Sequence, residues 1–84
     1  MKAIFTDMAW EDYTYLNKYD KKIVLRINKL IKNIQSTPFS GLGKPEPLKF
    51  ELQGKWSRRI NNTHRLIYEI KDSNVIIYSC CYHY

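Results

Sequence analysis

The chain has 84 residues, of which 44% are hydrophobic and 14% aromatic, and its formal net charge is +6. This composition fits one domain over residues 1–84 and excludes a disordered chain, because the apolar fraction suffices for a small core. No window approaches the ~18 consecutive apolar residues of a membrane span and no signal-peptide pattern is present, so we expect a cytoplasmic protein without a membrane partner. The positive charge suits an anionic partner, although a charge of about 2 to 8 also serves solubility alone.

The first part of the chain predicts a strand followed by a helix. Residues 2–5 form a brief apolar run that is typical of a strand. Asp7 is the expected N-cap of a helix that ends near Lys18, since aspartate accepts hydrogen bonds from the first free backbone amides. The apolar side of this helix carries residues at helical spacing that we expect in the core: Trp10, Tyr13 and Leu16.

A second helix is predicted almost immediately, because Asp20 has the side chain of an N-cap. The helix ends at Thr37, since a residue that precedes proline avoids the α region. Its apolar residues form one stripe: Ile23, Ile27, Leu30, Ile31 and Ile34. The outer side is rich in lysine and arginine, which indicates either a solvated surface or a contact with nucleic acid or an acidic partner.

A loop at residues 40–47 contains two glycines and two prolines, and Glu46 stands between Pro45 and Pro47. Each proline ring fixes its own φ, and Pro47 pushes Glu46 toward an extended conformation. A backbone restricted in this way suits a catalytic carboxylate, because a catalytic group that loses its orientation lowers the reaction rate. Taken alone, a glutamate in an exposed turn is the more ordinary interpretation.

Apolar runs after the loop predict strands at residues 48–52, 56–60, 64–70 and 75–84. The turn signals between them leave connections so short that the strands must pair as antiparallel hairpins. The predicted fold is therefore α+β: an N-terminal strand, a two-helix hairpin, and an antiparallel meander sheet with both helices on one sheet face.

Alternation divides the last predicted strand into two faces, one with Tyr78, Cys80, Tyr82 and Tyr84 and the other with Ser79, Cys81 and His83. Arg65 pairs with Cys80 if Asp72 and Ser73 form a two-residue turn, and it then shares the face of Tyr82. One extra loop residue or a bulge moves Arg65 to the face of His83. Periodicity leaves both registers open.

The cysteines and histidines predict no metal site, and we expect no cofactor. Cys80 and Cys81 are adjacent and are expected on opposite faces, so a disulfide between them would distort the backbone and both thiols should be reduced. His64 and His83 are far apart in sequence, and neither belongs to a CxxC or HxxxH spacing.

The candidate chemistry is proton transfer at a phosphodiester. Glu46 supplies a carboxylate and His83 an imidazole that titrates near neutrality. Cations are spaced through the predicted strands between them: Lys49, Arg58, Arg59 and Arg65. Such a reaction needs a base, an acid and cations for the charge that develops on phosphorus.

Four segments occur in the order and spacing of a known family: KPEPLK at residues 44–49, WSRRI at 56–60, HRLIY at 64–68 and YHY at 82–84. On these segments the chain resembles, from end to end, the YoeB toxins of the RelE/ParE group of bacterial toxin–antitoxin systems. One departure is Cys81, where relatives often carry a basic residue.

The resemblance implies a fold like that of microbial ribonucleases and an mRNA endonuclease that acts in the ribosomal A site. Carried over residue by residue, it makes Glu46 the general base and His83 the general acid. It also makes Arg65 the residue that stabilises the phosphate in the transition state.

The same resemblance implies further substrate contacts and partners. Lys49 and Arg59 become supporting cations, and Tyr84 becomes the residue that orients the substrate or stacks on a base. The expected partners are mRNA, the ribosome, a second copy of the chain in a homodimer, and an antitoxin similar to YefM whose acidic segment wraps the toxin.

Two rival functions remain open within the same fold. ParE-like members of the group bind DNA gyrase and do not cut RNA themselves. A non-catalytic RNA-binding module would use the basic outer side of the second helix. Neither needs a set such as Glu46, Arg65 and His83, so the presence of that set favours the nuclease.

Overall fold

The computed structural model describes residues 1–82, and the side chains of residues 1–81. Its elements are strand β1 (Ala3–Phe5), helix α1 (Asp7–Tyr19), helix α2 (Lys21–Ser36), strand β2 (Glu46–Pro47), a 3-10 helix (Phe50–Leu52), and strands β3 (Trp56–Arg59), β4 (Arg65–Lys71) and β5 (Asn74–Tyr82). The predicted α+β arrangement is therefore confirmed. Within the described part of the chain, no helix has the length and apolar character to cross a membrane.

The strands form a single sheet in the order β1-β5-β4-β3-β2. Strands β2 to β5 pair antiparallel, as predicted, whereas β1 runs parallel to β5. The amide of Thr6 donates to the carbonyl of Ile77 at 3.0 Å, and that of Val75 to the carbonyl of Lys2 at 2.8 Å, so the β1–β5 ladder extends beyond both ends of β1. Strand β1 is therefore an edge strand of the sheet and pairs with β5.

Both helices begin at side-chain caps, and one cap differs from the prediction. Thr6 caps α1, because its hydroxyl accepts from the amide of Ala9 at 3.2 Å. Asp7 is instead the first helical residue, where the positive end of the helix dipole stabilises its negative charge. Asp20 caps α2 as predicted, accepting from the amide of Ile23 at 3.3 Å.

The core lies between the helices and one face of the sheet. The predicted stripe of α2 is buried there, apart from Ile23 at its edge, and it packs against apolar residues of the sheet that include Leu66, Tyr68, Val75 and Ile77. Trp10 was expected in the core but is 54% exposed. Helix α1 packs through Ala9 and Leu16, so Trp10 stays at the rim and contacts the rings of Phe5 and Tyr13.

The predicted strand at residues 48–52 is wrong. Strand β2 lies two residues earlier, and the chain then turns through the 3-10 helix. Phe50 has a φ of 57°, which no strand residue adopts. Hydrogen bonds from the amide of Leu52 to the carbonyl of Lys49 (3.1 Å) and from that of Gln53 to Phe50 (3.0 Å) close the turn. Apolar content alone does not reveal such a turn.

The guanidinium of Arg58 is completely buried and joins the sheet to the end of α2. Its five N–H groups donate to five acceptors, none of them a carboxylate: the phenol oxygen of Tyr68, Oδ1 of Asn33, and the carbonyls of Thr37, Ser40 and Leu42. The last carbonyls of a helix lack partners inside it, and they carry the negative end of the helix dipole. The guanidinium of Arg58 therefore satisfies the carbonyl of Thr37, the C-cap residue of α2, and two carbonyls of the loop that follows.

Arg58 was a candidate cation for the site, and its burial excludes that role. The Tyr68 hydroxyl reinforces the junction by donating to the carbonyl of Pro38 at 2.6 Å. Burial raises the pKa of Tyr68, whereas the guanidinium of Arg58 opposes the rise. The loop after α2 is thus held against β3 and β4 by partly buried hydrogen bonds to Arg58 and Tyr68.

We expect Arg58→Ala to lower the free energy of unfolding by about 3 kcal/mol or more, because the five buried or partly buried acceptors all lose a charged donor. Arg58→Lys should restore only part of the loss, since an ammonium has three donors in a different geometry. Urea unfolding measures the free energy of unfolding of both variants. Arg59→Ala, at the exposed neighbouring position, is the control and should change stability by about 0.5 kcal/mol at most. Equal stability of the Arg58 and Arg59 variants would contradict this account.

Candidate active site

Three of the predicted site residues lie on the sheet face that the helices leave open: Glu46, Arg59 and Arg65. The side chains of Arg58 and Leu66 enter the core, so their strand neighbours Arg59 and Arg65 project to the opposite side. Register brings Arg59 of β3 directly opposite Arg65 of β4. The open face therefore carries two arginines at directly opposite positions of adjacent strands.

Paired arginines on adjacent strands have an energetic consequence. Residues directly opposite each other lie about 5 Å apart, and like charges at such positions destabilise a sheet. Arg59 is exposed and Arg65 is half-buried. Two arginines at this spacing make the patch positive, which is the electrostatic character that a phosphate site requires.

Glu46 is the nearest predicted site residue on the adjoining strand. It pairs with Ser57, which lies two residues before Arg59 in β3. Diagonal neighbours of this kind are separated by about 7–8 Å between Cα atoms, within reach of long side chains. An exposed carboxylate and two cations thus share one patch of the open face.

The backbone that carries Glu46 is positioned by the loop before it. Gly43 has a φ of +78°, and a Cβ there would lie 2.9 Å from a methyl carbon of Leu30 and 3.0 Å from the carbonyl oxygen of Arg59. Only glycine lets the loop fit between α2 and β3 without displacement. The amide of Arg59 then donates to the carbonyl of Gly43 at 2.6 Å. Glu46 follows three residues later in extended β2.

Lys49 lies in the same region as Glu46. Both residues line a cleft of about 270 Å³ that is completed by Pro47, Leu48, Phe50 and Leu52. Lys49 is exposed at the start of the 3-10 helix. Phe50 is a cleft residue that neither spacing nor periodicity marks in the sequence.

The register of β5 beside Arg65 departs from the one that a two-residue turn alone would give. Asp72 and Ser73 do form a two-residue turn, with φ values of 51° and 61°. Two register shifts then occur along β4, so Arg65 lies opposite Tyr82 and not Cys80. His83 and Tyr84, the predicted general acid and substrate-orienting residue, lie outside the described residues.

The register shifts also break the expected alternation of β5. The hydroxyl of Tyr78 donates to Glu69 at 2.7 Å, on the open side of the sheet, whereas Cys80 is completely buried in the core. They were expected on one face, and an irregular ladder explains the error. The Asp12 carboxylate of α1 accepts from the Cys80 amide at 3.0 Å and the Ser79 hydroxyl at 3.3 Å. Asp12 thereby fixes the course of β5 just before residue 83.

Both cysteines are free thiols, as expected, but they do not lie on opposite sides. Cys81 also packs against the core, where it is half-buried. Burial raises the pKa of the Cys80 thiol to about 12, and the negative charge of Asp12 and the neighbouring Cys81 add to the rise. Burial also raises the pKa of the Cys81 thiol. Within the described side chains, no three His, Cys, Asp or Glu residues are grouped so as to hold a metal ion.

The pKa of Cys80 predicts a loss of stability in alkali. Between pH 9.0 and about 12 an unfolded thiol loses its proton and buried Cys80 keeps it. The folded state then binds more protons than the unfolded state, so the free energy of unfolding falls as the pH rises. Midway between these pH values the wild type should have lost about 2 kcal/mol more than Cys80→Ala, as measured by urea unfolding relative to neutral pH. Cys81→Ala should behave more like the wild type, and an equal loss in the wild type and Cys80→Ala would refute the assignment.

Comparisons with known proteins agree with the architecture. The sequence model of a family described as YoeB-like toxin of bacterial type II toxin–antitoxin system matches residues 5–84. A Synechocystis protein named toxin YoeB is 55% identical over 84 residues, which are 100% of this chain and 98% of that protein.

Solved structures give the same result. A YoeB/ParE toxin from Agrobacterium tumefaciens superposes with a TM-score of 0.97 at 44% identity, covering 100% of both chains. The YoeB dimer from Staphylococcus aureus superposes at 0.94 with 47% identity, over 100% of this chain and 98% of that chain. The heterotetrameric YoeB–YefM toxin–antitoxin complex from the same organism gives 0.92 at the same identity and coverage.

Proposed function

The chain belongs to the YoeB-like toxins of bacterial type II toxin–antitoxin systems, and from this premise we propose that it is an endoribonuclease that cuts mRNA in the ribosomal A site. The observation that carries the proposal is the open sheet face, where Glu46, Arg59 and Arg65 share one patch. A carboxylate beside paired cations supplies a proton acceptor and an oxyanion site together.

Glu46 takes the proton from the ribose 2′-OH of the nucleotide before the cut. The 2′ oxygen then attacks phosphorus, and a negative charge develops on the phosphoryl oxygens. Arg65 and Arg59 lie opposite each other, so their guanidinium groups stabilise this charge as it grows. Lys49, in the cleft beside Glu46, holds the adjoining phosphate.

The reaction is completed at the leaving group. The bond from phosphorus to the 5′ oxygen breaks as His83 donates a proton to that oxygen. The products are a 2′,3′-cyclic phosphate on one fragment and a 5′-OH on the other, and water can open the cyclic phosphate to a 3′-phosphate. Tyr84 orients the substrate beside His83. These two roles come from the family resemblance, because both residues lie outside the described part of the chain.

The proposed partners follow from the same family. The Staphylococcus aureus relative forms a dimer and a heterotetramer with YefM. We propose that this chain likewise forms a homodimer and binds a YefM-like antitoxin. An acidic antitoxin segment is electrostatically suited to the cationic pair Arg59 and Arg65, and its binding there would exclude RNA.

We expect Glu46→Ala to lower the cleavage of mRNA on translating ribosomes by about 10²- to 10⁴-fold and to leave ribosome binding nearly unchanged, because a general base acts on the chemical step. Mapping of mRNA ends measures cleavage, and co-sedimentation measures binding. Glu11→Ala removes an exposed carboxylate from α1 and should cleave as the wild type does. Equal losses of cleavage and binding in Glu46→Ala would make Glu46 a docking residue. A wild-type protein that traps gyrase on broken DNA and leaves mRNA intact would replace the nuclease with the ParE-like function.

A further inference from the structure

Phe50 combines two features that a folding chain ordinarily avoids. Its side chain is 83% exposed, although phenylalanine is a residue that gains most from burial. Its φ of 57° lies in the left-handed region, which bulky side chains rarely adopt. Such strain persists only where the surrounding structure imposes it, and it clusters at functional sites.

The fold does not require this ring. Leu48, which is only 7% exposed, anchors the segment from one side, and Leu52 is half-buried on the other. The turn itself is closed by backbone hydrogen bonds from Leu52 to Lys49 and from Gln53 to Phe50. Glycine or asparagine would adopt the same backbone with less strain. The aromatic ring at position 50 therefore has no evident structural purpose.

The position of the ring indicates what it contacts. Phe50 lines the same cleft as Glu46 and Lys49. Lys49 suits a phosphate, and an exposed ring suits the flat face of a nucleobase. A ribose hydroxyl is a natural donor to the carboxylate of Glu46. The three side chains together match the three parts of a single-stranded nucleotide.

We propose that the Phe50 ring is a stacking surface for a base of the mRNA next to the bond that is cut. The inference deepens the proposed nuclease function and rests on it. Stacking accepts every base, because each has a π face, so Phe50 adds affinity without reading sequence. The strained turn holds the ring in the cleft before RNA arrives, which reduces the ordering needed on binding.

The test compares four variants in the ribosome-dependent cleavage assay. Phe50→Ala and Phe50→Gly both remove the ring and should lower kcat/KM equally, by about 5- to 150-fold, mainly through a higher KM. Phe50→Trp keeps an aromatic face and should retain activity. Tyr15→Ala removes another exposed aromatic side chain, 63% exposed on α1, and should have no effect. Urea unfolding should show no destabilisation in Phe50→Gly, which separates the ring from the fold.

A second arm identifies the base. The mRNA is made with single abasic nucleotides on either side of the cut, and each is cleaved by the wild type and by Phe50→Ala. At one of the two positions, the abasic nucleotide should lower the cleavage rate of the wild type to that of Phe50→Ala. This result is expected if the missing base and the Phe50 ring contact each other, because removing either one removes the same interaction. A Phe50→Ala defect that persists on both abasic mRNAs would overturn the proposal and point to ribosomal RNA or protein.

Other outcomes are equally decisive. Wild-type activity in Phe50→Ala, or a loss of affinity for a YefM-like antitoxin with cleavage unchanged, would also overturn the stacking role. Neither result would affect the nuclease assignment, because the wild type would still cut mRNA. Failure of the wild type to cut would instead remove the proposed function itself.

Discussion

The position of the candidate site depends on the buried guanidinium of Arg58. Its hydrogen bonds bind the C-terminal end of α2 and the following loop to β3, without any carboxylate partner. Burying a charge is expensive, and it is tolerated here because every N–H finds an acceptor and the helix dipole favours a cation. The loop that this contact fixes leads through Gly43 directly to Glu46. A contact inside the core thus determines where a carboxylate stands on the surface.

Because side chains alternate along β3, the consecutive residues Arg58 and Arg59 lie on opposite faces of the sheet. Arg58 points into the core and organises the loop, whereas Arg59 points to the open face and lies opposite Arg65. Asp12 has a comparable role in β5, where it accepts from the amide of Cys80 in the irregular stretch of the ladder. Both sides of the site are therefore held by polar contacts from the helical layer.

Local patterns in the sequence were sufficient for much of the fold and insufficient for the register. The stripe of α2, its Asp20 cap and the existence of a turn near Asp72 and Ser73 were predictable, because each depends on neighbours within a few residues. The register shifts between β4 and β5 were not, since periodicity within one strand does not show where an extra residue enters the ladder. The turn at Phe50 was missed for a related reason: its apolar residues resemble a strand, and only the backbone shows the left-handed conformation. The site residues came from the four family motifs, and the structure adds that Glu46, Arg59 and Arg65 lie on one face.

The central claim is that the ribose 2′-OH is the nucleophile and that the open sheet face activates it. The most direct measurement places a single 2′-deoxynucleotide before the scissile bond of an mRNA in the ribosomal A site. The account predicts that this bond is not cut, whereas the unmodified mRNA yields a 2′,3′-cyclic phosphate and a 5′-OH. Cleavage of the deoxy-substituted bond at the rate of the unmodified one would contradict the account, because the attacking group would then come from outside the RNA.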